Sequence, residues 1–518
     1  MESTHGLKLR FGKSVEWLIR RRISFAFNLF CAVYGYRPTK DGDGPTLCYA
    51  AEPNGPRNVV LTAGYVPRSQ SVPASAPREI TLDGDTFSEA ALGVRFPCFH
   101  AVGGTSPDWL GEIFEWVSGA HEYSVRERDS VGRVPFASTL HGRYGLDPAI
   151  PYASVAMRCL NRDLQAKFGS DGPGRPLSPL RKPHEWAIAA THDIDFLPIS
   201  TTSSLYRLSK NVAFAALRCR DYGLSGRIIG RGLGALLGGP SLGNCLRRTI
   251  AREQEKGIRS SYNVICRRSH PRDANYSLDN PSVARILNEL ARRGAEIAVH
   301  GSYTSLDAPG RLQEEYRWLA DKGFPSLGGR QHWLRYNGPG LFEELSRIGA
   351  WYDTTAGCSG QIGFRHGAAF PYPPYDFKTE APFPLLELPL AITDRSLYDM
   401  DKTGRSWSGA CQRVITASRQ YGWGGFSILW HDTVFSGAHL PMQLADLYWQ
   451  LKRPEDAWMR AKDIAEQVWP RYAQAGLLPA RMELGNSALA TSEDRDRLRH
   501  WSHPDPIAAN VANGCKVD

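Results

Sequence analysis

The run Trp186-Ala187-Ile188-Ala189-Ala190 opens directly into Thr191-His192-Asp193-Ile194-Asp195, so an apolar stretch ends in two carboxylates two residues apart. A short apolar run of this kind reads as a strand buried on both faces, as in parallel sheets. On an extended chain, residues two apart project to the same side, so Asp193 and Asp195 point the same way. At the carboxyl end of a barrel strand both would enter one site, where such barrels do their chemistry. Close carboxylates repel, and one needs a metal ion or an arginine beside it to stay ionised at neutral pH. The pair therefore suggests a division of labour, with one carboxylate binding a metal and the other taking a proton from the metal's water. Two solvated aspartates in a strand-end turn are the equally weighted alternative.

The same texture recurs downstream. Short apolar runs at Glu185–Asp195, Ser260–Cys266, Glu296–Ser302, Gly328–Tyr336, Trp351–Gly357, Leu385–Ile392 and Gly424–Asp432 alternate with helical patterns. This is the signature of β/α units on a parallel sheet. The best-defined helix lies between the second and third runs, with Asn280 to cap it, Pro281 at its first position and Gly294 at its exit. Val283, Ile286, Leu287 and Leu290 give it one buried stripe. Further helices are expected at 310–321, 339–349, 406–420 and 455–469. Seven strands with intervening helices predict an α/β fold of the (β/α) barrel kind rather than a short open sheet.

Around this unit the composition shifts. Residues 1–170 mix apolar patches with proline- and glycine-rich loops and read as a smaller accessory α/β domain. A breaker-rich linker at 171–184, the barrel over 185–475 and a polar tail over 476–518 follow. Arg20, Arg21 and Arg22 precede the apolar run Ile23–Tyr36. At about 14 residues that run falls short of the roughly 20 that span a bilayer, so a buried helix is expected, with an interfacial helix or an export signal as alternatives. Residues 205–250 carry Arg207, Lys210, Arg218, Arg220, Arg227, Arg231, Arg247 and Arg248 against the single acid Asp221. They read as a solvated insertion, or as a basic lid over an anionic or membrane-attached substrate. Nucleic-acid binding is disfavoured, because no stacking aromatics interleave with these cations.

The whole chain carries a formal charge of +9 from 62 basic and 53 acidic residues, with 42% hydrophobic and 22% charged residues. That balance excludes wholesale disorder and an ordinary coiled coil. The ten cysteines are scattered without a C-x-x-C pair, which excludes a zinc ribbon and argues against a disulfide scaffold. Reduced thiols, and no segment of membrane-spanning length, make the cytoplasm the expected compartment.

Chemistry-bearing residues gather at the predicted strand ends. His300 directly follows Glu296–Val299, Gly328–Tyr336 carries Arg330, His332 and Arg335, and Leu429-Trp430-His431-Asp432 closes the last strand. A neutral imidazole suits a metal. One strand-end histidine is more often a packing residue, but the recurrence at carboxyl ends is hard to explain by packing. His192 alone reads as a packed strand-end histidine. Asp353 suits the site or a turn equally, and Phe370–Tyr375 could line a sugar cleft or stiffen a wrapping loop.

In their order and spacing these segments resemble the NodB-type polysaccharide deacetylases, in a bacterial subgroup with an additional N-terminal domain. The resemblance covers about 185–470. It implies a distorted (β/α) barrel with a smaller N-terminal α/β domain, and a metal-dependent hydrolase that removes an N-acetyl group from a sugar in polysaccharide or glycoconjugate biosynthesis. Thr191–Asp195 looks like the family's first motif, with Asp193 as catalytic base and Asp195 as metal ligand. His300 looks like the start of the second motif, and the strand around Arg330–Arg335 like the third, whose arginine steadies the base. Leu429–His431 matches L-x-H, with His431 as general acid. The implied cofactor is a divalent ion, zinc by expectation. The implied partner is a carbohydrate, nucleotide- or lipid-linked, with peripheral membrane contact through the basic segments and no nucleic acid.

One departure matters. The family's second histidine, four or five residues after the first, is replaced by Thr304 and Ser305. A hydroxyl is a poor zinc ligand beside imidazole. His332 is the first candidate for the third ligand and His366, within Gly363–Gly367, the second. With neither, water fills the place or the site has lost its metal; in the latter case the barrel would be a catalytically silent carbohydrate-binding or scaffold protein.

Overall fold

In the computed structural model, the run that opens into the two aspartates is a strand, Trp186–Ile194, buried from Ala187 onward. The structure describes residues 6–39, 45–50, 58–61, 65, 78–81, 95–102, 106–168, 175–197, 208–236 save 211, 219 and 221, 242–436 and 440–480. The start of the expected linker and nearly all of the expected tail lie outside the described residues.

The described residues of the amino-terminal part include eight short strands. β1 (Gly6–Phe11), β2 (Arg37–Pro38), β3 (Thr46–Tyr49) and β4 (Asn58–Leu61) form a parallel sheet in the order β2-β1-β3-β4. β5 (Arg78–Thr81) pairs antiparallel with β6 (Arg95–Cys98), and β7 (Ala101–Val102) with β8 (Ser106–Pro107). The run after the arginine triplet is a helix, Trp17–Tyr34, that buries Ile23, Phe25, Leu29 and Phe30. No helix among the described residues is long and apolar enough to cross a membrane.

The large sheet is built from β9 (Trp186–Ile194), β10 (Ser261–Val264), β11 (Glu296–Gly301), β12 (Gly328–Gln331) and β13 (Tyr352–Asp353), then, past the small pair β14 (Tyr375–Asp376) and β15 (Ala381–Pro382), from β16 (Leu386–Glu387), β17 (Leu390–Thr393) and β18 (Gly424–Leu429). All are parallel, in the order β16-β13-β12-β11-β10-β9-β18-β17, and β19 (Ala457–Met459) pairs with the first half of β9. The two edges, β16 and β17, are separated in sequence only by Leu388-Pro389. Eight strands laid flat would span about 34 Å, yet the chain from Glu387 to Leu390 reaches about 10 Å. The sheet must therefore curl until its edges meet, and the α/β architecture is that of a curled parallel sheet with helices around it.

Most predicted elements stand. The helix Pro281–Arg292 is capped by the Asn280 side chain, which accepts from the Ser282 amide, and it buries Val283, Leu287 and Leu290. Helices Arg311–Asp321, Pro339–Ile348 and Trp407–Tyr421 lie where periodicity places them. Three expectations are corrected. The strand expected over Gly328–Tyr336 stops at Gln331, where the chain turns through His332–Leu334 with Trp333 and Leu334 at φ 62° and 51°. The run Leu385–Ile392 is two strands, divided beside Pro389, which has no amide to donate to a ladder. The helix expected over 455–469 is instead β19 followed by Ala461–Gln474.

One apolar cluster runs from Leu7 and Phe30 through Trp116 to Ile188, Phe426 and Trp469, so the amino-terminal helices and the sheet body share a core. A buried ion pair joins them as well: Arg365 donates to Glu122 at 2.9 Å and 2.5 Å from Nε and Nη2. The described cysteines include eight that are buried and outside any described disulfide.

Candidate metal centre

Register places the site. Parallel pairing sets Asp193 beside Asn263 across β9 and β10, and His300 beside Arg330 across β11 and β12. A Cβ on Gly329 would lie 2.0 Å from the Val299 carbonyl oxygen, so the close approach of β11 and β12 requires glycine there. Asp193, Asp195, His300, Arg330, His332 and His431 all fall at or just past the carboxyl ends of their strands, on one end of the sheet.

Asp195, His300 and His332 offer one ligand atom each, all within 4.8 Å of one another. Asp195 Oδ1 lies 3.5 Å from His300 Nε2 and 3.7 Å from His332 Nε2. Both imidazoles are fixed from behind. His300 Nδ1 is 3.0 Å from the Arg330 carbonyl oxygen. A carbonyl only accepts, so Nδ1 carries a proton, and in the neutral form of the ring the Nε2 lone pair points inward. His332 Nδ1 donates to Asp273 Oδ1 at 3.1 Å. Asp273 also accepts from the amides of Ser269, His270 and Tyr303. Burial would raise its pKa, but these donors, His332 foremost, hold it down to about 2. Asp195 Oδ1 itself is buried without a hydrogen-bond partner. An orphaned carboxylate oxygen facing two imidazole lone pairs fits a divalent cation, with each histidine anchored as metal-bound histidines are.

Asp193 is held differently. Its Oδ1 accepts from Asn263 Nδ2 at 2.8 Å and from Arg330 Nη1 at 2.9 Å. Its Oδ2 is 3.5 Å from His300 Nε2. Burial pushes its pKa up, and the Arg330 guanidinium outweighs this and keeps the carboxyl below the usual range. Arg330 is itself clamped, donating to Thr191 Oγ1 at 2.7 Å and to the Thr354 carbonyl at 3.1 Å. On the other side stands His431, with Nε2 3.6 Å from Asp195 Oδ2. Its Nδ1 donates to Asp394 at 2.8 Å, and Asp394 also accepts its backbone amide at 2.7 Å. Burial would lower the His431 pKa; the Asp394 charge, with Asp195 and Asp193 beyond it, pushes it up to about 10.

The other sequence candidates fall elsewhere. Arg335 does not reach Asp193: it donates to the carbonyls of Val131 and Tyr303 and to Asp307, so Arg330 alone of the two contacts the carboxylate. His366 bonds the Tyr372 hydroxyl at 2.6 Å and faces Glu122, in the seam between the amino-terminal helices and the sheet body. Thr304 and Ser305 turn to Ser269 and Gln331. His192 is fully buried between the Trp430 carbonyl and Glu253, each at 2.8 Å, and is a packed histidine. Asp353 is buried beside Glu387 with its oxygens on Thr355, and Phe370, Tyr372 and Tyr375 are at most 2% exposed, so none of these lines an open cleft.

Three participants escape the sequence. Asn263 is found only through register. Asp273 sits in a loop between elements, with no period to mark it. Asp394 had a legible signal, because Thr393-Asp394 ends a strand as Asp193 does.

Comparison with protein-family models gives no match, and comparison with curated proteins gives none either. Among solved structures, the chain is similar to a proposed polysaccharide deacetylase from Mycobacterium smegmatis, at 17% identity and a TM-score of 0.36, over 60% of this chain and 98% of that one. A likeness that low does not assign the chain to a family, and the site geometry has to speak for itself.

Proposed function

We propose that this chain is a metal-dependent hydrolase of the NodB polysaccharide-deacetylase type, which removes an N-acetyl group from a sugar in polysaccharide or glycoconjugate biosynthesis. What supports this most is one juxtaposition: the unpartnered Asp195 Oδ1 faces the Nε2 atoms of His300 and His332, with the ionised Asp193 on one side and the charged His431 on the other.

Asp195, His300 and His332 would hold the ion. Two imidazoles and one carboxylate are the donor set of catalytic zinc, and they leave a coordination position for water or substrate. Such an ion polarises the acyl carbonyl and brings the pKa of water toward neutrality. Asp193 Oδ2 takes the proton as general base, since Oδ1 is engaged by Arg330 and Asn263. Arg330 keeps Asp193 ionised through a charge-assisted hydrogen bond. His431 carries its proton on Nε2, steadied by Asp394, and delivers it to the departing amine. Asp273 fixes the His332 ring, so that the third donor comes from the end of β12 where Thr304 and Ser305 offer none.

A cytoplasmic, nucleotide- or lipid-diphosphate-linked N-acetyl sugar suits the basic character of 205–250, and an N-terminal accessory domain would help present it. The test is metal content by elemental mass spectrometry on protein purified without chelators, beside release of acetate from N-acetylated sugars. About one equivalent of zinc, lost in both His300→Ala and His332→Ala, with acetate release lost in parallel, is the expected result. A wild type that neither carries nor takes up a divalent ion would leave a silent carbohydrate-binding barrel.

A further inference from the structure

We propose that the basic helical segment 208–236 is a membrane-contact surface that seats this chain on an anionic lipid face. Large hydrophobic side chains left exposed among the described residues are Trp17, Leu217, Tyr222, Ile229, Trp333 and Met400. Three of the six fall within thirteen residues, and Leu217 and Tyr222 are the most exposed of all, at 80% and 74%. A cluster of that kind marks an interaction surface rather than ordinary scatter.

The geometry of the segment turns it outward. In the helix Tyr222–Leu236, Leu224 and Ile228 are buried, so this face docks the segment onto the body. Tyr222 and Ile229, two turns apart, share the opposite stripe. Gly226 and Gly230 lie on that outer side, and a Cβ on either would meet nothing within 4 Å. Lys210, Arg220 and Arg227 are exposed along the same segment. Over 205–250 the sequence sets eight basic residues against Asp221 alone.

Exposed cations interspersed along the chain with exposed aliphatic groups fit the headgroup–acyl boundary of an anionic bilayer. The phosphates take the arginines, the acyl region takes Leu217 and Ile229, and a tyrosine suits the interface. A nucleic acid would use the cations but offers little to two aliphatic side chains, and among the described side chains of the segment Tyr222 is the one exposed aromatic available to stack. A protein partner needs about 800 Å² on each side, which one short stripe does not supply. The segment is also the next described part of the chain after the strand that carries Asp193 and the residues to Leu197. The next helix, Leu242–Glu255, packs on Asp432–Ser436, which follows His431. Along the chain the segment thus stands between the strand that carries Asp193 and a helix packed beside the element that follows His431. Presentation of a lipid-anchored substrate there rests on the function proposed above; the membrane contact itself does not.

Flotation of the full chain with phosphatidylcholine vesicles, with and without phosphatidylglycerol, tests this. Binding is expected only to the anionic vesicles and should weaken as salt rises. Arg220→Glu with Arg227→Glu should lower binding by about fivefold for each cation lost. Leu217→Asp with Ile229→Asp should lower it by more than about tenfold. All four side chains are on the surface, so unchanged thermal midpoints would separate these effects from unfolding. Failure of the wild type to float with anionic vesicles overturns the proposal, as does unaltered binding in both double variants. Tighter binding to duplex DNA than to vesicles, insensitive to the Leu217 and Ile229 substitutions, would make this a nucleic-acid surface instead and also overturn it.

Discussion

Asp193 and Asp195 share a strand end, yet their neighbours set them to different work. Arg330 and Asn263 occupy one oxygen of Asp193 and keep it charged, whereas Asp195 Oδ1 has two imidazole nitrogens and no hydrogen. Asp193→Asn should therefore lower acetate release by roughly two to four orders of magnitude while metal content stays near wild type. Asp273→Asn should act on the ion instead, because it weakens the acceptor that orients His332. A loss of about 10- to 100-fold in metal affinity is expected from competition with a chelator. Near-normal turnover in the first variant, or unchanged affinity in the second, would contradict the assigned roles. At this scale the sequence was eloquent about groups that sit on strand ends. Asp193, Asp195, His300, Arg330, His332 and His431 are all brought to one end, because a strand terminus is a fixed address. Asp273 has no such address, and Arg335 misled because the turn at Trp333 and Leu334 carries it out of the strand direction.

Elements explain how those addresses converge. β11 and β12 approach closely enough for Gly329 to admit no side chain, and this pairing sets His300 against Arg330. Gly329→Ala should force the strands apart, with overpacking costs of about 1–3 kcal/mol at least, read as a lower midpoint in thermal or urea unfolding. Metal should be lost in the same variant. The periodic helices and long apolar strands were legible because burial leaves a repeating mark in the sequence. The misreadings cluster where a local breaker rules. Pro389 divides one apolar run into two edge strands, the chain bends after Gln331, and Ala457–Met459 is claimed by pairing with β9 rather than by its amphipathic pattern.

Across the whole molecule, the amino-terminal helices and the curled sheet are joined by a common core and by charges buried in the seam. Nothing in a one-dimensional pattern announces that Glu122 meets Arg365, since such contacts between distant segments have no period. Glu122→Gln leaves a buried guanidinium uncompensated and should cost about 3–5 kcal/mol of stability. His141, buried against Trp116 and with neither ring nitrogen hydrogen-bonded, is pushed down from 6.5 to about 3, chiefly by burial. The unfolded chain takes up that proton first, so stability is present above about pH 6.5 and drains away as pH falls toward 3. His141→Phe should flatten the fall in unfolding midpoint over that window; an unchanged slope would sink the assignment. The seam at Leu388-Pro389 has a consequence in time as well as in shape. The strands bearing the base and the metal donors, β9 to β12, are neighbours in the sheet and are complete by residue 332, whereas both edges and His431 come later in the chain. During synthesis, then, every residue of the proposed ion site is made before the proposed acid, His431.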